Sequence, residues 1–174
     1  AGSRIISLTG APLMHGTGVW LGAMVPQLGG ATVVTLQGRS LDPDEVLTTL
    51  QRERCTNLTI VGDAFAKPII RAIDAAAAAG EPYDLSAMKM IISSGVMWTS
   101  EVKEQLLERI EQVWLVDAMG SSEGSMGTSI SMKGMPAATA RFSPSEGAKV
   151  FTDDDREVTP GSGEIGMLAS GGMV

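Results

Sequence analysis

Cysteine and histidine are almost missing from this chain: Cys55 and His15 each stand alone. A single cysteine cannot close an internal disulfide, and no secretory leader pattern is visible, so a reducing, cytoplasmic setting is expected. One His and one Cys all but exclude a zinc site built from those ligands. Basic residues are outnumbered, 13 against 20 acidic, for a net charge of −7 with no basic run. That balance argues against nucleic-acid binding through broad electrostatics. The longest apolar stretch, around Val19 to Val25, falls far short of the ~20 residues needed to cross a bilayer. Aromatic residues are scarce at 4%, and 11 methionines take over some of the apolar role.

What is present is enough for a folded domain. Hydrophobic residues make up 44% of 174 positions, sufficient for a core and against wholesale disorder. The chain begins without Met and stops at Gly171-Gly172-Met173-Val174 with no closing element, so it reads as a piece of a longer protein.

Two periods alternate over the first two-thirds. Strands are expected at Ile5–Leu8, Ala31–Leu36, Leu58–Val61, Lys89–Ser93 and Val113–Ala118. Helical segments lie between them. One runs from Gly16 to Leu28. The next follows an Asp42 cap with Pro43 at the first helical position and places Val46, Leu47 and Leu50 on one face. A third, with Asp63 as candidate cap, carries Ile69, Ile70 and Ile73 and ends at Gly80. The fourth opens at Thr99-Ser100-Glu101 and carries Val102, Leu106, Leu107 and Ile110. Strand–helix alternation of this kind predicts an α/β fold: a mostly parallel, right-handed sheet with flanking helices. Ligands in such sheets sit outside the carboxyl ends of the strands. From Gly127 the helical period is gone, and Thr128–Met132, Ala148–Phe151 and Glu164–Ala169 read as short strands. The expected division is an α/β subdomain over 1–134 and a small, truncated, β-rich, barrel-like segment over 135–174.

Two motifs fit by letter and fail by context. Gly161-Ser162-Gly163-Glu164-Ile165-Gly166 matches the dinucleotide fingerprint, but it follows a Thr159-Pro160 turn and runs into a strand-like segment instead of a helix. Gly120-Ser121-Ser122-Glu123-Gly124 matches a hydrolase nucleophile elbow, but no helix follows, and the only His lies upstream of the serines.

Three strand-end loops carry the remaining chemistry. Pro12-Leu13-Met14-His15-Gly16-Thr17-Gly18 sets the imidazole beside a turn at a helix start. Ser93-Ser94-Gly95-Val96-Met97 offers bare backbone that could lie against a flat ring. Asp117-Ala118-Met119-Gly120-Ser121-Ser122-Glu123-Gly124 closes the last parallel strand with hydroxyls and a carboxylate. Hydroxyls and a loop amide suit a phosphate, and a nearby carboxylate suits Mg²⁺, so together these loops suggest a nucleotide-phosphate site. On the residues alone, capping and turn hydrogen bonds account for His15 and the Ser-rich loop equally well.

The same loops carry a resemblance. Pro12-Leu13-Met14-His15-Gly16 resembles the P-L-F-H-x-x-G segment of the adenylate-forming superfamily, the acyl-CoA synthetases, luciferases and peptide-synthetase adenylation domains. Ser94-Gly95-Val96-Met97 resembles its G-G-A-P loop, Met119-Gly120-Ser121-Ser122-Glu123 its Y-G-x-T-E loop, and Pro160 to Gly166 its P-G-x-x-G-E-I segment. Four motifs in family order span nearly the whole chain. The Met-Gly-Ser-Ser-Glu variant is most similar to actinobacterial fatty-acid or sterol side-chain CoA ligases.

The resemblance implies an ATP-dependent ligase with Mg²⁺ and with CoA as second substrate. A carboxylic acid is activated as acyl-adenylate and passed to the CoA thiol, with AMP released. It implies that Glu123 holds Mg²⁺, that Ser122 contacts the α-phosphate and that Asp117 faces the adenine amino group. Gly95, Val96 and Met97 flank the ring, and Met119, Gly120 and Ser121 complete the nucleotide loop. His15 sits at the acyl entrance, with Val19 and Trp20 lining the tunnel behind it. Met119 stands where the family has Tyr, and Val96-Met97 where it has Ala-Pro. The family's phosphate loop is expected before Ala1; its ribose-binding Asp, hinge and catalytic Lys are expected after Val174. A chain with half a site is expected to be inactive alone and prone to self-association. The alternative is a non-catalytic nucleotide-binding or regulatory module of the same fold.

Overall fold

The computed structural model describes residues 4–121 and 124–171. Parallel strands β1 (Ile6–Thr9), β2 (Thr32–Thr35), β3 (Asn57–Ile60), β4 (Met90–Ser94) and β5 (Trp114–Ser121) form most of a seven-stranded sheet. The order is β2-β1-β3-β4-β5-β6-β7, and β6 (Gly124–Ser131) and β7 (Ser143–Pro144) join it antiparallel. Strands β8 (Ala148–Phe151) and β9 (Met167–Ser170) make a separate antiparallel pair. The α/β reading therefore holds. The later strands differ from it in detail, and the strand expected from Glu164 starts only at Met167. β6 begins at Gly124, earlier than the expected Thr128, because it pairs residue by residue back along β5. β7 gave no apolar signal, being a two-residue Ser-Pro edge.

The helices form where capping and periodicity put them. Asp42 accepts hydrogen bonds from the amides of Asp44 and Glu45 and starts α2 (Pro43–Arg52). Thr99 accepts from the Val102 amide and starts α4 (Ser100–Arg109). Helix α3 (Gly62–Ala78) is different: its N-cap is Val61, and Asp63 lies inside the first turn. The Asp63 carboxylate instead accepts from the Thr99 amide at 2.9 Å and pairs with Lys67 at 3.1 Å, tying the start of α3 to the cap of α4.

The strand period of two divides the sheet faces. Leu8, Leu58, Ile60, Ile91 and Leu115 point into one core with Val46, Leu47 and Leu50 of α2, Ile69 and Ile70 of α3, and Val102, Leu106 and Leu107 of α4. Ser7 and Thr9 point the other way. Against them lies the segment expected to be an α-helix from Gly16, which is a π-helix over Thr17–Met24 continuing as α1 (Val25–Leu28). Its buried residues are Thr17, Gly18 and Gly22. A Cβ on Gly18 would collide with the Pro12 carbonyl oxygen in the loop after β1, and one on Gly22 would collide with Thr9 Oγ1 of the sheet. The helix thus presses directly onto the sheet, which is the close approach that only glycine allows.

Candidate functional site

Two clefts open at the carboxyl edge of the parallel strands, one on each face of the sheet. They meet over Ser94, Gly95, Ala118, Met119 and Gly120, which line both. Their shared rim arises from local geometry. Gly95 has φ +94°, a left-handed backbone that turns the chain sharply off β4. β5 shifts register between Met119 and Gly120, which re-aims the loop beyond it.

The smaller cleft, about 340 Å³, is walled by Val96, Met97 and Trp98 after β4, by Asp117 and Met119 on β5, and by Ala140 and Phe142. Val96 and Met97 are exposed. Asp117 is 5% exposed and is not alone. Lys103 Nζ of α4 donates to Asp117 Oδ2 at 3.0 Å and to the Ala138 carbonyl at 2.8 Å, and lies 5.5 Å from the Trp98 ring centre. Burial pushes the Asp117 carboxyl above the ordinary carboxylate range, and the hydrogen bond and charge of Lys103 offset only part of that. The indole Nε1 of Trp98, buried beside this pair, has no hydrogen-bond partner among the described residues.

The larger cleft, about 570 Å³, lies on the π-helix side. His15, Gly16, Trp20, Leu21 and Val25 line it opposite Ser121, Gly124 and Ser125. His15 Nδ1 accepts the Thr17 amide hydrogen at 3.3 Å, so the neutral ring carries its proton on Nε2. A Cβ on Gly95 would lie 3.5 Å from His15 Cε1, so the loop after β4 sits directly against the imidazole. Trp20 is 48% exposed and forms part of this lining. Val19 is half-buried and does not line the cleft, whereas Leu21 and Val25 do. A helix bonded from i to i+5 is wound more widely than an α-helix and so presents a different side chain to the cleft.

The structure thus gathers His15, Gly95, Val96, Met97, Asp117, Met119, Gly120 and Ser121 around two joined clefts. Ser122 and Glu123, expected at the α-phosphate and at Mg²⁺, lie outside the described residues. Among the described residues no group of three or more His, Cys, Asp or Glu could hold a metal ion. The smaller cleft has one carboxylate, that of Asp117, on its wall, an acceptor of the kind a purine amino group would need. The elbow and dinucleotide motifs fail here too: Ser121 leads to strand β6, and Gly161 to Gly166 lead to strand β9.

Lys103 was missed in the sequence although a signal was there. It falls at i, i+4 and i+7 with Leu107 and Ile110, inside the apolar stripe of α4. A lysine in such a stripe must be paired or must snorkel to solvent.

Comparison with known proteins agrees with this geometry. The family model described as "AMP-binding enzyme" matches residues 2–173. The chain is 33% identical over 168 residues to a medium/long-chain-fatty-acid–CoA/3-oxocholest-4-en-26-oate–CoA ligase of Mycolicibacterium smegmatis, covering 94% of this chain and 29% of that protein. It is 29% identical over 170 residues to a 3-oxocholest-4-en-26-oate–CoA ligase of Rhodococcus rhodochrous, with the same two coverages, 94% and 29%. Among solved structures, that of CmiS6 superimposes with a TM-score of 0.76 at 20% identity, over 97% of this chain and 40% of that one. The chain therefore spans under a third of the length of these curated relatives. The family match over nearly every residue, joined to an α/β sheet whose carboxyl edge opens into two connected clefts, places this chain in the AMP-binding enzyme family.

Proposed function

We propose that this chain is part of an ATP-dependent acyl-CoA ligase acting on a fatty-acid or sterol side-chain carboxylate. One observation carries the reading: a slot with a buried carboxylate and a wider cleft with an apolar wall share the rim Ser94, Gly95, Ala118, Met119 and Gly120. A reaction joining a nucleotide phosphate to an apolar acid needs these two compartments to meet. The relatives' names supply the acid class.

In this reading adenine lies between the 95–97 loop and Met119, with Asp117 accepting from its amino group. The α-phosphate then reaches the rim near Ser121 and Ser122. The acid enters past His15, whose Nε2–H can donate to the reacting carboxylate, and its apolar chain runs along Trp20, Leu21 and Val25. The carboxylate oxygen bonds to the α-phosphorus as the bond to the β-phosphate oxygen breaks, and pyrophosphate leaves. The CoA sulfur then bonds to the acyl carbon, the acyl–phosphate C–O bond breaks, AMP leaves and the thiol proton is released. Glu123 would hold Mg²⁺, which supplies charge neutralisation at phosphates when bound. Positioning by these groups lowers the barrier by holding both reactants in one geometry.

The same reading divides the chain into an α/β subdomain over 1–134 and a β-rich segment over 135–174, with β7 the strand that returns to the large sheet. Among the described residues no helix is long and apolar enough to cross a membrane. A cytoplasmic setting is supported by the free, buried Cys55. The 174 residues alone are expected to form no acyl-CoA and to self-associate through the exposed Met14, Leu28, Ile165 and Met167.

The test is pyrophosphate exchange and thioester formation by the full-length protein with ATP, Mg²⁺, CoA and a panel of fatty and sterol acids. Acid-dependent exchange followed by acyl-CoA is the expected result. ATP binding without exchange for any acid would replace this reading with a non-catalytic nucleotide-binding module.

A further inference from the structure

We propose that Lys103 sets the purine selectivity of the smaller cleft by fixing which hydrogen-bonding face Asp117 turns toward the base. The proposal rests on the nucleotide-site reading above and assigns a positioning residue behind it. Lys103 is a residue of α4 that is 1% exposed, so its ammonium is fully withdrawn from water. It has three donors and no acceptor. One donor goes to Asp117 Oδ2 and another to the Ala138 carbonyl. The ammonium lies by the Trp98 ring. Every one of these partners belongs to, or adjoins, the cleft wall: Trp98 and Asp117 line it, and Ala138 leads into Ala140 and Phe142, which also line it. The 138–142 segment is held a second time where the Ser100 amide of α4 donates to Thr139 Oγ1 at 2.7 Å.

A buried ammonium accepts nothing, so it can only engage an oxygen of the residue at 117. With Asp117 it takes Oδ2 and leaves the other carboxylate oxygen, a pure acceptor, for the base. A pure acceptor pairs with the 6-amino group of adenine and repels the 6-oxo group of hypoxanthine. Without Lys103 the residue at 117 is free to rotate, and a carboxyl left buried without its cation picks up a proton and can then donate. Either change removes the discrimination. A residue that served only to stabilise the fold would weaken both nucleotides alike.

The decisive substitution is Asp117→Asn with Lys103 intact. Lys103 must still engage an oxygen, so the amide is held with its oxygen toward the ammonium and its NH₂ toward the base. The preference should then invert toward the 6-oxo purine. Dissociation constants for ATP and ITP, with pyrophosphate exchange supported by each, are measured in the full-length protein. Wild type is expected to favour ATP by about tenfold or more, and D117N to favour ITP by a similar factor. K103M/D117N carries no buried charge and serves as the folded reference; in it the two nucleotides should bind within about twofold of each other. D117N that still prefers ATP, or K103M/D117N that matches D117N, overturns the role of Lys103. Failure of the underlying reading looks different: wild type then binds neither nucleotide, or D117N leaves both affinities unchanged.

Discussion

Up to β5 the chain is held together by buried apolar side chains, from Leu8 to Leu115. Past β5 the described residues contribute Val158 alone to that set. The later region is held instead by strand pairing, β5 with β6 and β8 with β9, and by surface ion pairs such as Lys149–Glu157 and Arg156–Glu164. The first region has the layered architecture of a self-supporting unit. The second leans on its neighbours, because a two-stranded pair is marginal in water. The candidate site lies at the seam between them, where β5 passes into β6.

The sharpest break in this contrast comes from truncating one core residue on each side. Leu58→Ala should cost about 2–5 kcal/mol, because a fully buried leucine leaves a cavity that the surrounding layers cannot fill. Val158→Ala should cost less, about 1–2 kcal/mol, since among the described residues no other buried apolar side chain of the later region joins it in a core. Chemical denaturation of both variants gives the comparison, and equal losses would show that the later region has a core of its own.

If Glu123 holds Mg²⁺ as proposed, Glu123→Gln in the full-length protein should lower the rate of acid-dependent pyrophosphate exchange by ~10²-fold or more. Excess Mg²⁺ should restore part of it. Pyrophosphate exchange at the wild-type rate would remove Glu123 from the machinery.

His15→Ala tests the first region's side of the seam. If the imidazole guards the acyl entrance, KM for the acid should rise by severalfold, more than KM for ATP, and the preference among acids should change. Unchanged constants with a lowered Tm would make it a turn residue that merely holds the Thr17 amide.

The smallest effect concerns the tie between α3 and α4. Burial raises the Asp63 carboxyl, but the Thr99 amide and hydroxyl and Lys67 outweigh it, and the group titrates below the ordinary range. A carboxyl depressed in the folded state stabilises above its unfolded value of about 4, and the contribution is lost as pH falls through the folded value. Asp63→Asn should therefore flatten the acid side of the stability curve below about pH 4 and lower the plateau above it. The contrast is Glu164, whose carboxyl is also depressed by Arg156 but lies on the exposed surface. Glu164→Gln should leave the curve in place, because water and salt screen such a pair. A larger acid-side change for Glu164→Gln would reverse the ranking of the two regions.

Much of this was legible without coordinates. The caps at Asp42 and Thr99 act locally, through amides two or three residues away, so their sequence signal is complete. The five parallel strands were visible as short runs rich in apolar and β-branched residues between helical segments. Asp63 misled because a side chain near a helix start has two choices, its own helix or a neighbour, and the neighbour's amide lies 36 residues along the chain. The π-helix was unreadable as such, because an apolar segment rich in glycine has no strong period.

The residues of this chain by themselves determined the alternation of strands and helices, the loops that would meet at the carboxyl edge, and the family. All three are written in local patterns of capping, apolar spacing and short motifs. Tertiary structure alone decided that β6 and β7 extend the main sheet, that Leu21 and Val25 line the wider cleft where Val19 does not, and that Lys103 stands behind Asp117. Each depends on groups far apart in the chain coming within a few ångströms. Contact of that kind is set by how whole layers pack, and no local pattern encodes it.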